Sequence, residues 1–416
     1  MKIRLRMTDN QLQIVKKMLV AGNIPAATFS ESKNFEQTEC CMCVSELYEK
    51  THDVPDNRKV LIFKSGKFEE RACEVDTLLK REKHNLEYMG VCFVDENDIA
   101  GINFSTSKEI DVISIVGRGI KFYIQDRIIK DEEMHIRTSQ VFGTATVDLI
   151  RKLKIGIVGL SGTGSVVAEQ LIRLGVGELV VVDDDIIEEK NLNRIINSKK
   201  NDAESRTAKV DMIKQFVDQA GLTTIIFPFK TIVSDTKAIK ALAHCDILFG
   251  CMDSVDGRHH LNTIATAYLI PYFDVGVKLV ADGMGGIEEI TTAAHYLEPG
   301  CSSLYSRHVY DSEKLTSASL KRENPDEYRA RLQEKYIKGA QESSPAVVSV
   351  NMLAASLVVL EFLARIHSYR DDESYEIETV RMDLTNMRVL LEKETESCPV
   401  FKKYFAVGDD NYLLQK

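Results

Sequence analysis

Between Lys154 and Asp185 the chain reads KIGIVGLSGTGSVVAEQLIRLGVGELVVVDDD, and no other stretch constrains its fold as strongly. Ile155, Ile157 and Val158 make a short apolar run suited to a buried parallel strand. A glycine turn follows, Gly159-Leu-Ser-Gly162-Thr-Gly164, after which Val166, Val167, Leu171 and Leu174 recur at helical spacing. A second apolar run, Leu179 to Val182, ends in Asp183, Asp184 and Asp185. Strand, glycine turn, helix, strand and acid in that order predict an α/β fold with a doubly wound, mostly parallel sheet. They also predict a nucleotide site at its carboxyl edge. Glycines let the backbone approach phosphate, and free N–H groups at a helix start favour its charge. Asp183 lies about 20 residues past the turn, where a carboxylate can accept hydrogen bonds from a ribose.

The residues around this unit narrow the choice of nucleotide. A dinucleotide fingerprint places glycine at its second position, and Ser161 stands there instead, which argues against a nicotinamide-dependent oxidoreductase. Asn191-Leu-Asn193-Arg194 follows Asp185, Thr207-Ala-Lys209-Val opens the next helix, and Cys251-Met-Asp253-Ser ends a later strand. Taken singly, each charge reads as a solvated surface group. Together, an arginine, a lysine and a strand-end carboxylate near one glycine turn suit a triphosphate and its Mg²⁺.

On these residues, over about positions 135–395, the chain resembles the ThiF/MoeB/HesA-type adenylyltransferases, which share the fold of ubiquitin-activating enzymes. The family's G-x-G-G-x-G pattern falls on Gly159, Ser161, Gly162 and Gly164, with Thr163 inside the turn and one glycine lost. The resemblance implies that Asp183 binds the ribose and that Asp185, Asn191, Asn193 and Arg194 carry the family's acid-to-arginine run. It implies Lys209 as the phosphate lysine and Asp253 as the Mg²⁺-associated acid. It further implies that Arg137, in HIRTSQVFGTATVDLIRK, reaches the site of a partner copy in a homodimer. The implied cofactors are ATP and Mg²⁺, with no zinc. The implied reaction is adenylation of the C-terminal carboxylate of a ubiquitin-like protein, which then passes to a conjugating-enzyme-like partner. A peptide or small carboxylate substrate would use the same ATP residues.

A more particular resemblance, to bacterial ThiF-type proteins with an N-terminal JAB-like domain, bears on residues 1–130. The text from Met7 to Val20 reads as a helix capped at Thr8, and strand-like runs follow at Cys41–Val44, Val60–Phe63, Tyr88–Val94, Ile110–Ile115 and Gly119–Ile124. This predicts a small α/β domain. No histidine lies between His84 and His135, and Lys108 stands where the resemblance wants an acid, so the domain is expected to be an inactive JAB-like scaffold. Cys40 and Cys43 form a lone C-x-x-C with no second pair, expected as buried core thiols.

The adenylation domain is expected over 131–395. It should open with one amphipathic segment, Arg127–Lys152, and contain an irregular crossover over 297–345, then an apolar helix from Pro345 to Ile366 and two final strands within 376–391. A peripheral tail, 396–416, would follow. In the crossover, Cys301 is the one thiol beside Ser302 and Ser303, and these are the candidates for any covalent step after adenylation. His295 and His308 are the nearby bases, while Ser343 and Ser344 read as loop residues. A net charge of −10 gives no reason to propose nucleic-acid binding. No run of about 18 uncharged apolar residues is apparent, so no membrane contact is expected. Nine scattered cysteines suit a reducing cytoplasm.

Overall fold

The computed structural model describes residues 2–21, 26–48, 58–64, 88–94, 99–103, 108–124, 133–333, 346–371, 374–393 and 396–415. The chain forms two compact units. The first joins residues 1–130 with 266–269 and 404–416, and the second holds 131–265 and 270–403.

The first unit is built on a nine-stranded mixed sheet. In chain order its strands are β1 Lys2–Thr8, β2 Ala26–Lys33, β3 Glu39–Tyr48, β4 Arg58–Lys64, β5 Tyr88–Val94, β6 Ile99–Asn103, β7 Lys108–Glu109, β8 Val112–Val116 and β9 Ile120–Ile124. The spatial order is β7-β6-β5-β4-β2-β3-β1-β8-β9. Helix α1, Asp9–Val20, starts where expected. The Thr8 N–H donates to Gln11 Oε1 at 2.8 Å, and the Gln11 N–H donates to Thr8 Oγ1 at 3.3 Å. Strand β1 was not expected. Ile3, Leu5 and Met7 fill one face, but Arg4 and Arg6 on the other are also buried, which hides the alternation. Arg4 pairs with Glu39 at 3.4 Å, and Arg6 donates to the Tyr268 carbonyl at 2.9 Å. Cys40, Cys41 and Cys43 are buried in β3, and burial pushes the Cys40 and Cys43 thiols well above their ordinary range.

The end of the chain is not peripheral. Residues 404–415 belong to this first unit, where the Tyr268 hydroxyl donates to Asp409 at 2.7 Å and Leu413 is buried. Cys398 and Phe401, just upstream, are buried in the second unit. Of the residues that bear on the JAB comparison, Lys108 opens β7, while His84 lies outside the described residues.

The second unit is an eight-stranded sheet in the order β12-β11-β10-β13-β14-β15-β16-β17. The strands are β10 Lys154–Val158, β11 Glu178–Val182, β12 Ile225–Phe229, β13 Ile247–Gly250, β14 Tyr272–Ala281, β15 Ile287–Leu297, β16 Thr379–Asp383 and β17 Arg388–Glu392. The pairs from β12 across to β14 are parallel, and β14 to β17 are antiparallel. Apolar runs buried on both faces give the parallel part, with helices as the crossovers. The expected single segment before β10 is two helices, α2 Ile136–Phe142 and α3 Thr144–Lys152, because Gly143 adopts φ 78° between them. The remaining helices are α4 Gly164–Arg173, α5 Lys200–Glu204, α6 Lys209–Ala220, α7 Thr236–Ala243, α8 Val255–Ala267, α9 Ser312–Glu323, α10 Pro325–Gln333 and α11 Val348–Ile366. Helix α11 is long and apolar enough to cross a membrane by length and composition, with mean hydropathy 1.6, although it carries Glu361 and Arg365. It is a core helix of this unit: Val350, Ala354, Val358 and Phe362 are buried, and Phe362 meets Phe249 and Phe273 edge-on at 5.8 and 6.0 Å.

Candidate functional site

Strand β10 ends in a turn that only glycine can make. Gly159 has φ 88°, and a Cβ there would meet the Cys251 carbonyl oxygen at 2.8 Å. A Cβ on Gly164 would meet the Gly159 oxygen at 1.8 Å, so the turn is folded tightly onto the first residue of α4. Thr163 precedes that helix without capping it by its side chain. Among the described residues, the N–H groups of Ser161, Gly162, Thr163 and Gly164 have no acceptor. A row of free N–H groups at a helix start is a place for an anion.

Asp183, at the end of β11, ties this turn down. Its Oδ2 accepts from the Leu160 N–H at 2.6 Å and its Oδ1 from the Asp185 N–H at 2.9 Å. Lys209, at the first position of α6, is 4% exposed and lies 2.6 Å from Asp185 Oδ2 and 3.6 Å from Asp183 Oδ1. The Lys209 N–H also donates to the Asp185 carbonyl at 3.1 Å, which fixes the lysine beside the acids. Burial raises the Asp183 carboxyl above its ordinary range, with Lys209 and the two backbone N–H groups opposing the shift. The carboxylates of Asp183, Asp184 and Asp185 cluster within 4.8 Å, but the Lys209 ammonium already offsets two of them.

The loop after β11 brings Arg194 to the same turn. Ser165 in α4 accepts from the Ile196 N–H at 3.3 Å, and Asn197 donates to Glu169 at 2.7 Å, so the loop is pinned along α4. The Arg194 Cδ comes within 3.4 Å of where a Cβ on Gly162 would sit, and its guanidinium donates to the Lys190 carbonyl at 2.8 Å and to Asn193 Oδ1 at 3.3 Å. Asn191 is buried and closes its own turn, with Oδ1 accepting from the Glu188 N–H at 3.0 Å. Asp253 is exposed in the loop between β13 and α8. Nearby, Arg258 reaches fully buried Asp274 at 3.3 Å and the Val275 carbonyl at 2.9 Å, while Asp256 pairs with Arg322 at 2.9 Å. Both open α8 as packing residues. Arg137 is exposed on α2, where it donates to Gln140 at 3.2 Å.

The crossover serines are differently placed. Ser302 is buried; its hydroxyl donates to Glu378 Oε2 at 3.1 Å and accepts from Arg307 Nη2 at 2.8 Å. Arg307 further holds Glu378 at 2.5 Å and the Tyr296 carbonyl at 2.8 Å. Ser303 exchanges hydrogen bonds with Ser306 at 2.9 and 3.2 Å, stapling a turn. The Cys301 thiol is pushed up to about 12, first by burial and then by Glu298 and Glu378. His295 is buried in β15 with Nδ1 on the Thr379 hydroxyl at 2.9 Å, and burial holds its pKa well below the ordinary range, which makes it a weak base. Ser343 and Ser344 lie outside the described residues.

The sequence pattern did not single out Asn351. It stands in the first turn of α11 and is buried, and its Nδ2 lies 2.1 Å from where a Cβ on Gly162 would sit. Its signal was a lone amide at the head of an apolar helix.

The ThiF family pattern matches residues 133–400, which takes in every element of the second unit. The chain belongs to the ThiF family. Over 185 residues it is 24% identical to the ubiquitin-like modifier-activating enzyme 5 of Aedes aegypti, an overlap of 42% of this chain and 45% of that protein. Over 132 residues it is 28% identical to the adenylyltransferase and sulfurtransferase UBA4 of Meyerozyma guilliermondii, an overlap of 31% and 30%. The chain therefore spans less than half the length of these curated relatives. Among solved structures, the microcin C7 biosynthetic enzyme MccB in complex with N-formylated MccA superposes with a TM-score of 0.50 at 19% identity, over 64% of this chain and 74% of that one. That likeness is one of fold. The ThiF match begins at residue 133, so it says nothing of the nine-stranded unit or of its JAB-like reading.

Proposed function

We propose that this chain is an ATP-dependent adenylyltransferase that activates the C-terminal carboxylate of a ubiquitin-like protein. The observation that carries this reading is the uncapped start of α4, whose free N–H groups meet Arg194 at Gly162 and have Asp183 and Lys209 behind them. Donors and cations at the turn, with the Asp183 carboxylate at the end of β11, fit a nucleoside triphosphate. The names of the relatives support both the adenylation and the class of carboxylate.

In the proposed reaction a carboxylate oxygen attacks the α-phosphorus. The bond to the bridging oxygen breaks, and pyrophosphate leaves with the electron pair. Arg194 and Lys209 would offset charge developing on the phosphate oxygens, and Arg137 would add a third cation from α2 of a second copy in a homodimer. Asp253, exposed where β13 ends, would hold Mg²⁺, which when bound would neutralise phosphate charge. Positioning and charge neutralisation supply the catalysis. The raised Cys301 thiol and the tethered Ser302 hydroxyl favour handing the adenylate directly to a conjugating-enzyme-like partner.

ATP–pyrophosphate exchange tests the reading. Wild-type protein should exchange label in the presence of a ubiquitin-like protein, and Asp253→Ala should lose about 100-fold or more. Exchange by Asp253→Ala within about threefold of wild type overturns the metal role. Exchange driven by a short peptide but by no ubiquitin-like protein reassigns the substrate.

A further inference from the structure

The glycine turn is walled on one side by a residue from far along the chain. Asn351 is 5% exposed, and its carboxamide has no hydrogen-bond partner among the described residues. The amide keeps a little solvent access, so its bonding is left for water or a ligand to complete. Its Nδ2 sits against Gly162 at 2.1 Å from the Cβ that glycine lacks, and the Arg194 stem approaches the same point at 3.4 Å. Any side chain at 162 would displace this amide, so the glycine and the asparagine are fitted to each other.

The helix that carries Asn351 repeats the character of α4. Helix α11 runs for 19 residues from Val348, and its N-cap, Val347, offers no side-chain cap. The Val350 and Asn351 N–H groups turn back to the Val347 carbonyl at 3.1 Å. The first turn of a second helix, with its positive dipole end, thus lies close to the turn that starts α4. An amide donor, an arginine and two uncapped helix starts around one glycine all favour negative charge.

We propose that Asn351 is a binding residue of the nucleotide site: its Nδ2 donates to a phosphate oxygen of the bound triphosphate, opposite the α4 N–H groups. This rests on the adenylation reading above and extends the site from the β10–α4–β11 unit to α11. Packing alone would also place a side chain here, and the two roles separate experimentally. A packing role makes Asn351→Ala and Asn351→Asp alike for nucleotide and lowers the melting temperature of the ligand-free protein. A donor role separates the two variants for nucleotide, whatever packing change they share in the ligand-free protein.

The test is titration of the full-length protein with a non-hydrolysable ATP analogue, alongside melting of the ligand-free variants. Asn351→Ala should weaken the analogue about 10-fold, the loss of one charge-assisted hydrogen bond. Asn351→Asp, of equal size but with a negative charge beside phosphate, should weaken it about 100-fold or more. Binding by both variants within about twofold of wild type overturns the proposal alone, as does equal weakening by both with a lowered melting temperature. Wild-type protein that fails to bind the analogue overturns the adenylation reading, and this proposal with it.

Discussion

Replacing Lys209 with methionine isolates one charge in the candidate site. The ammonium is 4% exposed, between Asp185 at 2.6 Å and Asp183 at 3.6 Å. Methionine keeps much of the aliphatic volume and removes the charge. Breaking a buried ion pair from one side costs about 3–5 kcal/mol. Two features reduce that here. The Asp185 side chain is 69% exposed and resolvates, and Asp183 keeps hydrogen bonds from the Leu160 and Asp185 N–H groups. A loss of about 2–3 kcal/mol at neutral pH is therefore expected. The sign of the pH dependence follows from Asp183, whose folded pKa lies above its unfolded value chiefly through burial, with Lys209 holding it down. Without Lys209 the carboxyl rises further, so the folded variant binds a proton more tightly than its unfolded chain does. Its stability penalty must then shrink as pH falls toward the ordinary carboxylate range of about 4. Urea melts of wild type and Lys209→Met at about pH 7.5 and about pH 5 measure this, and Asp183→Asn added to Lys209→Met should recover much of the loss. A penalty equal at both pH values, or below about 0.5 kcal/mol, refutes the argument that Lys209 compensates a buried carboxylate.

Gly164→Ala should destabilise the second unit by more than about 3 kcal/mol, because its Cβ would lie 1.8 Å from the Gly159 carbonyl oxygen, a backbone atom that cannot swing aside. Soluble expression with a melting temperature near wild type would contradict that geometry. His259 is held neutral in α8, its pKa lowered to about 4 by burial and then by Lys403, with Nδ1 on the Tyr310 hydroxyl at 3.0 Å. A folded pKa below the unfolded value of about 6.5 means that stability is lost as pH falls from about 6.5 to about 4, by at most about 3 kcal/mol. His259→Gln should flatten the dependence of melting temperature on pH across that window.

What could be read along the chain and what could not divide by the range of the interactions involved. The β10 strand, the glycine turn and β11 are stated by neighbours in sequence: paired apolar runs, a φ only glycine adopts, and an acid at the end of a strand. The helix opened by Thr207-Ala-Lys209-Val and the strand ended by Cys251 were legible in the same way, and α6 and β13 stand there. Strand β1 escaped because its outer face carries Arg4 and Arg6. Their burial depends on Glu39 and on the Tyr268 carbonyl, neither of which is near them in sequence. The division of Arg127–Lys152 into α2 and α3 turned on Gly143 alone, and an isolated glycine in a helical pattern is as often tolerated as not.

The same distinction governs the site. Ser302 reads as a nucleophile only while Glu378 and Arg307 are out of view. Once they are placed, its hydroxyl is a junction between strand β15's exit and the approach to β16. Asn351 is the reverse case. In sequence it is a polar interruption in an apolar helix, a residue type usually assigned to a helix start for its capping ability. In the fold its side chain neither caps α11 nor bonds to any described group, and it lies against the one glycine whose missing Cβ leaves it room. The physical content of position 351 is therefore carried by position 162, and that of 162 by 351. A pair of this kind becomes visible only when the crossing of α11 over the α4 turn is known, and it is where this site can differ from others built on the same βαβ unit.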